Sequence, residues 1–339
     1  MLNAIVYMIL LPTTLLAQGD TIADRYGRLI DSKELRKHLE IFAGEKFEGR
    51  ETGKKGQKKA AKYLAAEFRA AGAKPPGDTS YFQLFEVSYK LKNKDTTIKQ
   101  KTLIKLHTEN VIAVVEGSDL KNEVIVISAH YDHLGKKLKI VYNGADDDGS
   151  GSVSLLEIAQ AFAQAKKEGH GPRRSIVFIG FSGEEKGLLG SKYYSKNPVY
   201  PLDQTVCNLN IDMIGRIDKL HSADSNYVYI IGADMMSTRL HNINEESNFS
   251  HTKLSLDYRF NDPEDKNKFY YRSDHYNFAK NGVPVIFYFN GVHEDYHKES
   301  DEVEKISFAM LERRARLVFF TAWRLANMEG SLDKKENTE

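Results

Sequence analysis

The strongest constraint on the fold is the alternation, through the middle of the chain, of short apolar runs with helix-length amphipathic ones. Residues 124–128, 175–181, 206–213 and 283–289 are rich in β-branched and aromatic side chains and show little polar alternation. Such runs suit strands covered on both faces. Between and after them, residues 150–165, 188–194 and 306–328 carry apolar positions at helical spacing. The pattern predicts an α/β fold, with a mixed, mostly parallel central sheet flanked by helices on both faces. Further strands are expected at 81–89, 110–116 and 227–231. Ahead of the sheet, residues 20–44 read as helical through Leu35, Leu39 and Phe42. A second helix runs through Ala60, Leu64 and Phe68 and stops at Gly72 and Pro75. One domain is expected over residues 20–330, followed by a charged tail, 331–339, that should fray.

An open α/β sheet gathers ligands outside the carboxyl ends of its strands, and the reactive side chains fall there. His130 in AHYDH, the Glu184–Glu185 pair in SGEEKG and Asp212 in NLNIDMIG each stand just beyond a predicted strand. Asp147 in GADDDGSG precedes a helix, and His297 lies in DYHKESD. Two imidazoles and three carboxylates without a thiol suit a hydrated dinuclear zinc centre better than a closed structural site, with Glu184 beside it as a candidate base. Such a centre holds its ions roughly 3.5–4 Å apart and supplies hydroxide near neutral pH, so metal-assisted hydrolysis is the reaction class. Each residue alone has an ordinary alternative. A strand-end His is often just hydrogen-bonded, a Glu pair faces solvent, and Asp146–Asp148 can be an acidic turn favoured by a helix dipole. Asp212 resists that treatment, because an Asp inside an apolar run needs a charge partner if buried. Five coincident placements resist it more strongly.

Composition narrows the partners. With 48 basic and 47 acidic residues the formal net charge is +1, and no Lys/Arg stripe suggests nucleic acid. The single cysteine, Cys207, excludes an intrachain disulfide and sits in an apolar run that reads as core. The uncharged stretch 4–17 is shorter than the about 20 residues a membrane span needs, but it matches a signal-peptide core with a cleavage point after Ala17. Residues 1–17 therefore read as a signal peptide, and the protein as exported, periplasmic or secreted, without a stable membrane anchor. Oligomeric state is left open.

In order, the stretches AHYDH, GADDDGSG, FSGEEKGLLGS, NLNIDMIGR, RSDHYNF, GVPVIFYFNG and YHKESD resemble the signature of the M28 zinc aminopeptidases over about residues 124–301. GRETGKKGQKKAAKYL is similar to that family's N-terminal region. The resemblance implies a zinc aminopeptidase, phosphorylase/hydrolase-like fold, two zinc ions and a peptide substrate. It implies that His130, Glu185, Asp212 and His297 each hold a metal, that Asp147 bridges both ions, and that Glu184 is the general base. It further implies that Asp132 orients His130 from behind. For an oxyanion donor it points to Tyr296 or Tyr270, either of which can equally be a pocket wall. Arg272 either meets a substrate carboxylate or carbonyl or pairs with Asp274. Glutaminyl cyclases share the fold and part of the signature but use one zinc. A non-catalytic binding protein on this fold would have lost ligands or the base, and none is missing here.

Overall fold

The computed structural model describes residues 21–90 and 103–335; the segment read as a signal peptide lies outside them. An eight-stranded sheet carries the order β1-β2-β6-β3-β7-β10-β8-β9. Its strands are β1 (Phe82–Lys90), β2 (Leu103–Val115), β3 (Leu120–His130), β6 (Arg174–Phe181), β7 (Thr205–Ile211), β8 (Tyr227–Ile231), β9 (Ser255–Asp257) and β10 (Val285–Phe289). A separate hairpin pairs β4 (Gly135–Lys137) with β5 (Ile140–Tyr142). The four central strands β6, β3, β7 and β10 are mutually parallel, while β2 and β8 run antiparallel to their inner neighbours.

Alternating side chains bury both faces of this sheet. Ile125, Ile127, Ala129, Ile176 and Phe178 pack with helices α1 (Ser32–Phe42), α2 (Lys55–Ala71), α3 (Gly151–Lys167) and α8 (Phe308–Asn327). Val124, Val126, Val177 and Ile179 face the other way, toward Tyr194 of α4 (Leu189–Lys196), Met236 of α5 (Ala233–Met236) and Phe278 of α7 (Tyr276–Ala279). Cys207 is buried in the first of these layers. From β3 the chain passes through α3 to β6 on one side, then returns to β7 on the other. Strand order thus reverses at β3, which opens a crevice at its carboxyl end.

Besides the short elements β4, β5, β9, α5 and α7, which the sequence pattern does not give, four details differ from the sequence expectation. The first helix is divided: Asp31 is extended and its carboxylate accepts from the amides of Lys33 and Glu34, so α1 starts there. Strand β2 begins well before residue 110, because its polar start pairs with β1 along the sheet edge, where His107 opposes Glu86. Helix α6 (Thr238–Ser247) is absent from the expected set. Residues 331–335 do not fray: Leu332 is buried, and the Asp333 carboxylate accepts from the Ser237 hydroxyl and the amides of Thr238 and Arg239 at the start of α6. Among the described residues no helix is long and apolar enough to cross a membrane.

One buried cation ties the site-bearing loops together. Arg50 is fully buried at a φ of 51°. Its guanidinium donates to the carbonyls of Tyr131 (2.9 Å), Phe42 (3.2 Å), Asn143 (2.6 Å) and Gly144 (2.8 Å). Burial pushes it down to about 10, opposed by Asp147 and Asp301, so it stays protonated at neutral pH. Arg50→Met fills part of the volume but orphans four carbonyls. It should destabilise the fold by about 3–5 kcal/mol, read from the midpoint of guanidinium unfolding. A loss below about 1 kcal/mol would mean these carbonyls find other donors.

Candidate metal centre

The carboxyl ends of β3, β6, β7 and β10 deliver every cluster residue except Asp147, which sits at the entry to α3. Within the aspartate triplet the three carboxylates do different work. Asp146 accepts from the amide of Gly215 (2.7 Å) and faces His293 Nε2 (3.1 Å). Asp148 accepts from the amides of His130 (3.1 Å), Gly151 (2.9 Å) and Met213 (3.0 Å), binding the ends of β3 and β7 to the start of α3. Both outer carboxylates are thus committed to bracing. Asp147 differs in that both of its oxygens face imidazoles.

Asp147 Oδ1 lies 3.2 Å from His130 Nε2, which is also 3.5 Å from Asp212 Oδ1. Asp147 Oδ2 lies 3.1 Å from His297 Nε2 and 3.8 Å from His133 Nδ1. Glu185 completes this second side, with Oε1 2.9 Å from His133 Nδ1 and Oε2 3.4 Å from His297 Nε2. The five residues singled out in the sequence therefore come together, and Asp147 has one oxygen on each side. Asp212 finds its partners in His130 and in the Ser273 hydroxyl, which donates to Oδ2 (2.6 Å).

The electrostatics are those of a dry, crowded site. Burial pushes the Glu185 carboxyl up to about 8, reinforced by Asp147. Glu184 is likewise held well above the carboxylate range, first by lost hydration, against His130 and with Glu185 and Asp212 adding to it. Burial drives His133 down to about 4. Lost hydration also opposes charge on His130, but the Asp212, Glu184 and Asp147 carboxylates outweigh it and raise that imidazole.

A cation fits this place. Asp147 Oδ2, Glu185 Oε1 and both His133 ring nitrogens are buried without a hydrogen-bond partner, in a molecule where such atoms are otherwise mostly satisfied. Two triads have atoms within 4.8 Å of one another, His130–Asp148–Asp212 and His133–Asp147–Glu185. In the first, Asp148 is already occupied by three amides, which leaves Asp147 as the free carboxylate facing His130. Nitrogen and oxygen donors without sulfur are the chemistry of a hydrolytic zinc site.

The profile of Peptidase family M28 matches residues 110–322, more than half of the chain. The chain belongs to this family. It is 30% identical to a probable leucine aminopeptidase of Arthroderma otae over 224 residues, which is 64% of this chain and 57% of that relative. The match thus spans a little over half the relative's length. A zinc aminopeptidase from Bacillus subtilis shares the fold at a TM-score of 0.68 and 17% identity, covering 89% of this M28 chain and 97% of the other. A glutaminyl cyclase from Porphyromonas gingivalis does so at 0.60 and 19% identity, covering 87% and 98%.

The surrounding residues sort the remaining sequence candidates. The cavity is lined on its polar side by His130, Asp147, Glu184, Asp212, Tyr296 and His297. Met213, Phe269, Phe287, Phe289 and Val292 form its apolar wall, and Arg272 joins them. Tyr296 stacks on His297 at 3.9 Å. Tyr270 does not line this cavity; it packs against Tyr271, Tyr276 and His275. Arg272 does not pair with Asp274, which is buried and accepts from the Ser191 hydroxyl. Arg272 instead lies over the Phe269 ring (4.8 Å) and reaches the Tyr296 hydroxyl (3.5 Å).

Asp132 acts differently from the sequence expectation. His130 Nδ1 meets the main-chain carbonyl of Asp132 at 3.0 Å, while the carboxylate is 4.0 Å away. That carboxylate accepts from the Thr52 hydroxyl (2.6 Å) and the Glu184 amide (3.2 Å). His133 was not singled out in the sequence; its signal was a second imidazole inside the same AHYDH stretch. Asp147→Asn should lower metal content to one ion per chain or fewer, measured by elemental analysis after dialysis against zinc. Undiminished loading would remove Asp147 from both sides.

Proposed function

We propose that this chain is a zinc-dependent exopeptidase, an aminopeptidase that hydrolyses the N-terminal peptide bond of peptides at a two-zinc centre with Glu184 as general base. His130, Asp147 and Asp212 would hold one ion, and Asp147, Glu185 and His297 the other. The observation carrying this reading is the division of labour between two adjacent glutamates. Glu185 faces the imidazoles, whereas Glu184 lines the cavity and, among the described residues, makes no ion pair with them.

When bound, zinc would lower the pKa of a water from 15.7 towards about 7 and polarise the scissile carbonyl. Glu184 takes the proton from the attacking water and returns it to the leaving amine. Its raised proton affinity suits that exchange, and positioned transfer of this kind contributes about 10²–10⁴-fold. The Asp132 carboxylate fixes the Glu184 amide and so the turn that aims the base. The Tyr296 hydroxyl, at the cavity wall, stabilises the developing oxyanion. Arg272 meets a carbonyl or carboxylate of the substrate beyond the cleaved bond. The apolar stretch 4–17 supports export as part of the same proposal.

Purified protein with zinc should release the first residue of an aminoacyl chromogenic substrate and leave an N-terminal Gln peptide uncyclised. Ring closure of the Gln peptide would place the chain with the cyclases, and silence on both would make it a binding protein. Glu184→Gln should keep its metal yet lose at least about 10²-fold in turnover; normal turnover with intact metal would remove Glu184 from the reaction. Tyr296→Phe should cost about 10²-fold in kcat, whereas Tyr270→Phe should stay within about twofold. The reverse pattern would reassign the oxyanion donor.

A further inference from the structure

We propose that His133 is a fourth protein ligand of the ion on the Glu185 side. That half of the centre would then be a closed two-nitrogen, two-oxygen site built from Asp147, Glu185, His297 and His133. The His130–Asp147–Asp212 half would keep an open position. The proposal rests on the zinc reading above and adds a residue and an asymmetry to it.

The geometry of the ring carries the argument. His133 Nδ1 is 2.9 Å from Glu185 Oε1, a hydrogen-bond distance, yet neither atom has an aligned hydrogen-bond partner, and neither does Asp147 Oδ2 3.8 Å away. A nitrogen and an oxygen this close but not bonded to each other point toward a common neighbour. His297 Nε2 approaches the same pair of carboxylates from the other side, at 3.1 Å and 3.4 Å, and the two imidazoles meet edge to face. Four donors from four segments thus converge, the number that closes a tetrahedral zinc site.

The ordinary alternative is a buried core histidine, which would spend its ring nitrogens on carbonyls or hydroxyls. His133 does not, although it is completely buried, and unlike His275, whose unpartnered ring stacks on Phe287, its ring faces the Asp147 and Glu185 carboxylates. Its ring is held in place. The His133 amide donates to the Arg50 carbonyl (3.2 Å), and a Cβ at Gly144 would lie 2.5 Å from the imidazole. Gly144 has a φ of 55°, so that close approach and the left-handed turn both require glycine. On the other half, among the described residues, the further carboxylate grouped with His130 and Asp212 is Asp148, and it is taken by three amides. Three protein ligands with one position left is the arrangement of a catalytic zinc, four that of a structural one.

The test is a metal titration of the chelator-stripped protein with zinc, against a competing chromophoric chelator, together with cobalt(II) absorption spectra. Wild type should bind two ions with clearly separated affinities. His133→Ala and His133→Gln should weaken the tighter site by about 10–100-fold or more, leave the weaker one within about threefold, and change the cobalt bands of the first ion bound. Unchanged affinities and spectra would overturn the proposal. Should both variants fail to fold, X-ray absorption of wild type loaded with one zinc decides: two imidazoles on that ion support His133 as a ligand, and one refutes it. If wild type binds two zinc ions and cleaves its substrate while His133 proves silent, only this inference falls. If no N-terminal residue is released, the functional reading falls, and the metal data still judge His133.

Discussion

A carboxylate taken out of water needs donors, and Asp147 is given only imidazoles. Lost hydration works to raise its proton affinity, but His133, His130 and His297 outweigh that and hold it well below the ordinary range. One oxygen faces His130 and the other faces His297, and the second has no aligned hydrogen-bond partner among the described residues. An arrangement so poor in neutral hydrogen bonds is costly for an empty protein and favourable for one holding positive charge between the rings. The neighbouring aspartates show that the fold had the alternative, since each collects backbone amides in full view of the same loops.

Holding such a cluster open requires loops that cannot relax into it. Two buried guanidiniums supply much of that stiffness, and both donate to main-chain carbonyls. Arg50 grips the chain after His130 and the turn before Asp147. Arg314, on α8, donates to the carbonyls of Tyr227, Ile214 and Arg216, and so fixes the segment following Asp212. Asp301 works from the opposite direction, accepting from the amides of Asp146 and Asp147. Each clamp meets main chain, so the donors of the site keep their side chains free. Preorganisation here is a property of the carbonyl and amide partners of residues that never touch the cavity.

How much of this was legible follows from where the signals lie. Strand-end positions made His130, Glu184, Glu185 and Asp212 visible, because β-branched runs mark the strands and the sheet rule marks their ends. His133 carried no such mark. A lone histidine is ordinarily structural, and only the approach of the Asp147 and Glu185 carboxylates to its unpartnered ring sets it apart. Asp132 was visible as a residue, but whether its carbonyl or its carboxylate would face His130 depends on a backbone turn that spacing does not encode. The apolar wall was hidden for a different reason. Phe287 and Phe289 belong to a strand that already reads as core, and Phe269 comes from a stretch of short turns without period. Strands β8 and β9 and helix α6 assemble through contacts distant in sequence, and local propensity gave only β8.

The adjacent glutamates show how little backbone distinguishes two chemical tasks. Side chains of consecutive residues leave the chain in different directions, so a loop entering the crevice can send one carboxyl to the imidazoles and the next to the cavity. What selects between them is the tether: the Glu184 amide is bound by Asp132, and Gly183 ahead of it turns at a φ of 83°, which a side chain would strain. Asp132 is itself fixed by Thr52, only two residues beyond the buried Arg50. The same short N-terminal segment therefore sets the turn before Asp147 and the orientation of Glu184. A slip of one residue in the loop after β6 would exchange the two carboxyls and leave neither in place. The register is protected by the Ser182 amide, which donates to the Asn110 side chain (3.2 Å), and by the Ser182 hydroxyl, which bonds Thr108 (2.7 Å). Both partners lie on β2, a strand that contributes nothing to the cavity. An edge-side strand thus governs which glutamate faces the cavity.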